Sequence, residues 1–152
     1  MNKKNNFKEK FKQALISTVK VISDDYKPKK SDDNVSSKNI NFFELDNLSS
    51  KHDFIRFRAE ADSEALKKKF SDKEIYQNNL PNNSSYRSLY DISEKIRYEL
   101  LGSKMLKGIS KNLNENYNQK INLKRKDQLK NKEDVGVVEA FELYMLKNFL
   151  NI

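Results

Sequence analysis

The residues of this 152-residue chain that could do chemistry are few. Glu94 and Arg97 stand at i, i+3 in EKIRYELLGSKMLKGISKNL, residues 94–113, within ion-pair reach on one face of a helix. A buried Glu94 has to be paired, while an exposed pair at this spacing is worth under about 1 kcal/mol; spacing alone leaves both open. His52 is the single histidine, so neither an HExxH zinc site nor a Ser-His-Asp triad can be assembled within one chain, and beside a helix start it reads as a surface residue. Cysteine is absent, which excludes disulfides, thiolate metal sites and a Cys nucleophile. The pairs Asp24-Asp25 and Asp32-Asp33 lie among lysines in loop-like sequence and read as solvated turns. Neither a GxxxxGKS/T phosphate loop nor GxGxxG is present, since Gly102 and Gly108 sit inside a helical pattern and follow no strand. The expectation is a chain with no catalytic residue, no nucleotide site and no metal site of its own.

The elements that must position these residues read as helices. Glycine, proline and tryptophan are nearly absent, and the length suits one core, so a single mainly α domain is expected over residues 1–152. It should hold four to five helices around a central helix at about 85–115. In FKEKFKQALISTVKVI the apolar residues recur at three and four, giving a first amphipathic helix over about 5–23. A polar loop follows at 24–39, and NINFFEL, around 40–45, is either a short strand or an extended segment laid over the core. Ser50 with Asp53 three residues on is a helix start. That helix carries Phe54, Phe57, Ala61, Ala65 and Phe70 and is expected to reach about Asn78, before the break at LPNNSS. Ser84 or Ser85 is expected to cap the long helix, and a last amphipathic helix is expected from about Glu133 to Leu150.

On a helical wheel of about 100° per residue, Leu89, Ile92, Ile96 and Leu100 occupy one side of the long helix. Tyr98, Leu101, Met105, Ile109 and Leu113 occupy the other, so the helix is expected to pack on different neighbours along its two halves. Gly102 and Gly108 fall in or beside the second stripe. Each costs about 1 kcal/mol relative to alanine inside a helix, and a closely crossing neighbour is the expected compensation.

The net charge of +8 invites a phosphate-binding reading. Its location argues otherwise: residues 1–12 carry +4 and residues 120–132 carry +5, which leaves the remaining 127 residues at −1. Lysine outnumbers arginine 25 to 5, and solvation of these two segments accounts for them more simply than nucleic-acid binding. No apolar run approaches the roughly 20 residues of a membrane span, and the N-terminus lacks an apolar signal core, so a cytoplasmic protein is expected.

The order Glu94-x-x-Arg97-x-Glu99-x-x-Gly102, then Gly108 and Asn112-Leu113, resembles the N-terminal region of CobT-type subunits of the aerobic, ATP-dependent cobaltochelatase. RAEADSEALKKKF, with Arg58, Ala61-Asp62, Ala65-Leu66 and the later Leu80-Pro81 break, looks like the family's preceding helix. FKQAL resembles its first helix and VVEAFELYMLKNFL its closing one, so the likeness runs through nearly all of the chain in order. Between the glycines the family usually has two basic residues and a methionine; here Lys104 is basic, Met105 comes one place early and Leu106 takes the methionine position. The family continues through an acidic linker into a von Willebrand factor A domain, and this chain looks like the N-terminal domain without it.

The resemblance implies an accessory or adaptor subunit in cobalamin biosynthesis. The family's chelatase inserts Co2+ into hydrogenobyrinic acid a,c-diamide with ATP hydrolysis, in an oligomeric complex with an AAA+ ATPase subunit and a large corrinoid-binding subunit. ATP, Mg2+ and Co2+ are then expected on the partner subunits. Glu94, Arg97, Glu99, Arg58, Asp62 and Asn112 become candidates for a buried polar network or a partner-facing patch, with the network favoured because such charges often pin helix pairs. The alternatives are a small basic nucleic-acid-binding protein using Lys120 to Lys132, and a helical interaction module of an unrelated assembly.

Overall fold

The computed structural model describes residues 3–24, 50–127 and 135–150, the side chains of 3–5 and 124–127 excepted. Within them the chain is almost entirely helical: α1 Lys3–Ile22, α2 Lys51–Phe70, α3 Lys73–Asn78, α4 Ser84–Met105, α5 Lys107–Asp127 and α6 Val137–Met145, the last running into a π-helical turn, Leu146–Leu150. No strand occurs among the described residues, and the extended segment expected at 40–45 lies outside them, as do residues 25–39 of the polar loop and 128–132 of the basic segment.

α2 opens on the expected capping box. The Ser50 hydroxyl accepts from the Asp53 N–H at 3.3 Å, and the Asp53 carboxylate accepts from the Ser50 N–H at 3.0 Å. Along α1, Phe7 and Phe11 meet Phe54 edge to face, Leu15 packs with Phe57 and Ala61, and Asp24 pairs with Lys69. Low numbers meet low numbers and high meet high, so α1 and α2 run in the same direction. Ala59, Ala61 and Ala65 are all buried on α2, and these small side chains let α1, α4 and α5 approach it from several sides.

Three helix boundaries differ from expectation. The segment read as one helix to Asn78 breaks at Ser71, whose N–H closes α2 on the Lys67 carbonyl at 2.9 Å. Asp72 then opens α3, its Oδ1 accepting from the N–H groups of Glu74 and Ile75 at 2.8 and 3.0 Å. α4 is capped by Asn83, one residue before the two serines expected to do it, through bonds from the Ser85 and Tyr86 N–H groups. The central helix expected at 85–115 is two helices joined by one extended residue, Leu106 (φ −137, ψ 117). Its N–H ends α4 on the Gly102 carbonyl at 2.9 Å, and its own carbonyl starts α5 by accepting from Ser110 N–H at 3.2 Å. α5 then turns back so that Tyr117 meets Glu99 of α4.

That break resets the wheel, and two expectations fall with it. Tyr98, Ile109 and Leu113 are buried as expected, but Leu101 and Met105, in the last turns of α4, are exposed, because α5 folds back on the Glu99 side of α4 instead of continuing it. The glycines also part company. A Cβ on Gly102 would lie 2.3 Å from a Leu66 methyl carbon, so close approach of α2 explains it. Gly108 has nothing within 4 Å of that position; it lies in the exposed first turn of α5, not at a helix crossing.

Candidate functional site

The polar residues singled out in the sequence separate into three small clusters along the seams of α2 with α4 and α5. At the first, the Arg97 guanidinium donates to Glu94 at 2.7 and 2.8 Å and to the Phe70 carbonyl at 2.7 Å, where α2 ends. Ser71 completes it by donating its hydroxyl to Glu94 at 2.7 Å. Hydrogen bonding from Arg97, the largest effect, holds the Glu94 carboxyl below its ordinary value, and Glu94 in turn raises Arg97. The cluster ties the α2–α3 corner to the middle of α4. Arg97→Glu leaves the Phe70 carbonyl without this donor and sets two carboxylates one turn apart. Because Arg97 is half exposed, solvent replaces part of what is lost, and a loss of about 1–2 kcal/mol is expected in urea unfolding.

The second cluster is interior. Glu99 is 1% exposed, and its two oxygens accept the Ser63 hydroxyl at 2.6 Å and the Tyr117 hydroxyl at 2.7 Å. One carboxylate thereby joins α2, α4 and α5. Burial first, then the Glu99 charge, drives the Tyr117 phenol far above its ordinary range; burial also pushes Tyr98 up to about 12. Both phenols are therefore neutral at physiological pH, and Tyr117 donates its hydroxyl to Glu99.

In the third cluster Asn112 donates to the buried Asp62 at 2.7 Å, joining α5 to α2. Arg58 stays exposed and acts on Asp62 only through its charge. Desolvation raises the Asp62 carboxyl above its ordinary 3.8, against the lowering by Asn112 and Arg58. The folded state thus favours the protonated acid, and this contribution to stability is present at low pH and lost as pH rises through the folded value. Glu94 behaves oppositely: its contribution is present above its ordinary 4.5 and lost as pH falls through the lowered folded value. Asp62→Asn is therefore expected to gain on wild type as pH rises from about 4 to 7, while the cost of Glu94→Gln shrinks as pH falls toward 3, both read from urea unfolding across that range.

Beside the first cluster, and sharing Glu94 with it, a groove of about 700 Å³ runs between the end of α2, α3 and the first half of α4, lined also by Lys67, Lys68, Lys73, Tyr76 and Asp91. Tyr76 donates its hydroxyl to Asp91 and packs on Tyr90 with ring centres 5.3 Å apart, which sets one wall. Ser63, Ser71 and Tyr117 escaped the sequence reading. Tyr117 had a signal, as it continues the spacing of four from Ile109 and Leu113 into the asparagine-rich stretch NLNENYNQK.

Among the described residues no group of three or more Asp, Glu or His side chains is placed to hold a metal ion, and no helix is long and apolar enough to cross a membrane. Fold and clusters together define a helical bundle in which Arg97, Glu94, Glu99 and Asp62 are bound to hydroxyls, an amide and a backbone carbonyl across helix seams. The chain belongs to the CobT family, described as cobalamin biosynthesis protein CobT, whose profile matches residues 5–149 and thus extends from α1 to the closing π-helical turn. Neither curated proteins nor solved structures give a significant match to it. Family membership places the chain in cobalamin biosynthesis.

Proposed function

We propose that this chain is an adaptor subunit of cobaltochelatase, supporting ATP-dependent insertion of Co2+ into hydrogenobyrinic acid a,c-diamide by contacts with the AAA+ ATPase subunit and the large corrinoid-binding subunit. The observation that carries the reading is the family match across residues 5–149, which takes in every helix described above. The geometry is in keeping with it. Glu94, Glu99 and Asp62 are each bound within the fold, so their work is to hold α2, α4 and α5 in register. In this account ATP, Mg2+ and Co2+ act on the partner subunits, and this chain supplies a rigid surface that brings those subunits together.

The test is direct binding. The purified chain is expected to co-elute with the AAA+ subunit encoded in the same genome in the presence of ATP, and Lys67→Glu with Lys73→Glu, on the groove wall, is expected to weaken that complex while leaving the melting temperature within about 2 °C, as for surface substitutions generally. A chain that elutes alone at micromolar concentrations of both proteins, with and without nucleotide, contradicts the adaptor reading.

A further inference from the structure

α6 is built the wrong way round for a surface helix. Seven of its nine residues are apolar and two are glutamates, yet none is buried. A helix at a protein surface normally turns its charges to water and its apolar stripe to the core. Here the exposed residues are Val137, Val138, Ala140 and Tyr144, with Val137 at 77% and Tyr144 at 62%. Glu139 and Glu142 are both half-buried, and Glu142 acts through its charge on Tyr117 and Lys120 of α5. On a wheel of about 100° per residue, Val137, Ala140, Phe141 and Tyr144 share one stripe, and the two glutamates fall on the far side. α6 rests on α4, and the buried Leu146 and Leu150 of the following π-helical turn anchor it there, which leaves the stripe facing outward.

Between Gly136 and Leu146 no exposed residue carries a charge. That bears on what covers the stripe. An uncharged stripe offers a phosphate backbone nothing to bind, and unlike proteins select one another largely by complementary charge, which is missing here. A second copy of this chain meets the opposite condition. Each copy carries a net charge of +8, so two copies repel, and they touch with least repulsion where charge is absent. The spacing adds a register. The stripe is arranged about the midpoint between Ala140 and Phe141, so an antiparallel copy sets Val137 against Tyr144 and Ala140 against Phe141, each pair occurring twice. Small faces large in both pairs, the self-complementarity that a twofold contact requires. We propose that two copies of the chain associate through α6, packed antiparallel about a twofold axis beside Ala140 and Phe141. A contact limited to a helix about 13 Å long falls short of the roughly 800 Å² per partner of a standard interface. The dimer is therefore weak, with a dissociation constant on the order of 100 µM.

Sedimentation equilibrium of the full chain from about 10 µM to about 1 mM tests the proposal. Wild type is expected to pass from monomer to dimer across this range. The dimer should hold or strengthen as salt is raised, because salt screens the repulsion between the two copies and takes nothing from an apolar contact. Ala140→Glu and Ala140→Lys are each expected to weaken it at least about tenfold, with the melting temperature within about 2 °C of wild type. An equimolar mixture of the two variants should dimerise at least as well as wild type, a rescue that arises only where residue 140 of one copy lies close to residue 140 of the other. The proposal is overturned by a wild-type chain that stays monomeric throughout, by either variant dimerising as wild type, or by a mixture that stays monomeric. Should the wild type stay monomeric and Ala140→Glu abolish binding to the AAA+ subunit, the stripe belongs to that protein and the self-contact is wrong.

Discussion

Glu99→Ala is expected to cost about 3–5 kcal/mol of unfolding free energy, a large part of the 5–15 kcal/mol typical of a domain. The substitution leaves the buried Tyr117 hydroxyl and the half-buried Ser63 hydroxyl without their acceptor and opens a void where three helices meet. Glu99→Gln is the informative partner. Its amide keeps the volume, and the two hydroxyls can rotate to accept or donate, so its cost should stay below about 1.5 kcal/mol. Tyr117→Phe should fall between, at about 1–3 kcal/mol, and the double variant with Glu99→Ala should cost less than the sum of the singles. Equal costs for Glu99→Ala and Glu99→Gln would show that the charge, and not the hydrogen-bond junction, matters here.

Gly102→Val is expected to be at least as damaging, by about 3 kcal/mol or more. A Cβ alone would sit 2.3, 2.4 and 2.8 Å from three carbons of Leu66, a side chain with no exposed surface into which it could swing. Overpacking of this kind costs about 1–3 kcal/mol, and the two extra methyl groups of valine add to it. Gly102→Ala should cost less, since alanine recovers about 1 kcal/mol of helix propensity. Gly108→Ala should go the other way and stabilise by up to about 1 kcal/mol, because nothing lies near its Cβ position and α5 gains a better helix former. Thermal melts of the three variants separate the glycines cleanly.

The same two glycines mark what could and could not be read from the chain. Apolar spacing located α1, and Ser50 with Asp53 located the start of α2 as a reciprocal cap, because both signals are local and carried by side chains. The break at Ser71 has no glycine or proline beside it, and at Leu106 the nearest, Gly108, comes two residues later and fits a continuous helical pattern. Leu106 is extended because α5 must fold back onto α2 and α4, a tertiary requirement that local propensity does not encode. A wheel carried across that residue put Gly108 where a neighbouring helix crosses, and it is exposed with nothing near its Cβ position. The charges followed the same rule. Glu94 and Arg97 pair within one turn and were legible at i, i+3, whereas Glu99 finds partners 36 residues before it and 18 after, which only the packing of three helices reveals. The family likeness was carried by residues on both sides of the break, so it survived the error in helix boundaries.

Reconstitution of cobalt insertion tests the adaptor account most directly. With the AAA+ subunit, the large corrinoid-binding subunit, ATP, Mg2+, Co2+ and hydrogenobyrinic acid a,c-diamide held constant, this chain is titrated into the mixture and the appearance of the cobalt corrinoid is followed by absorbance. The account predicts a rate that rises with added chain and saturates at a fixed ratio to the AAA+ subunit, with Glu99→Gln as active as wild type. A rate that is the same in the absence of the chain would contradict it.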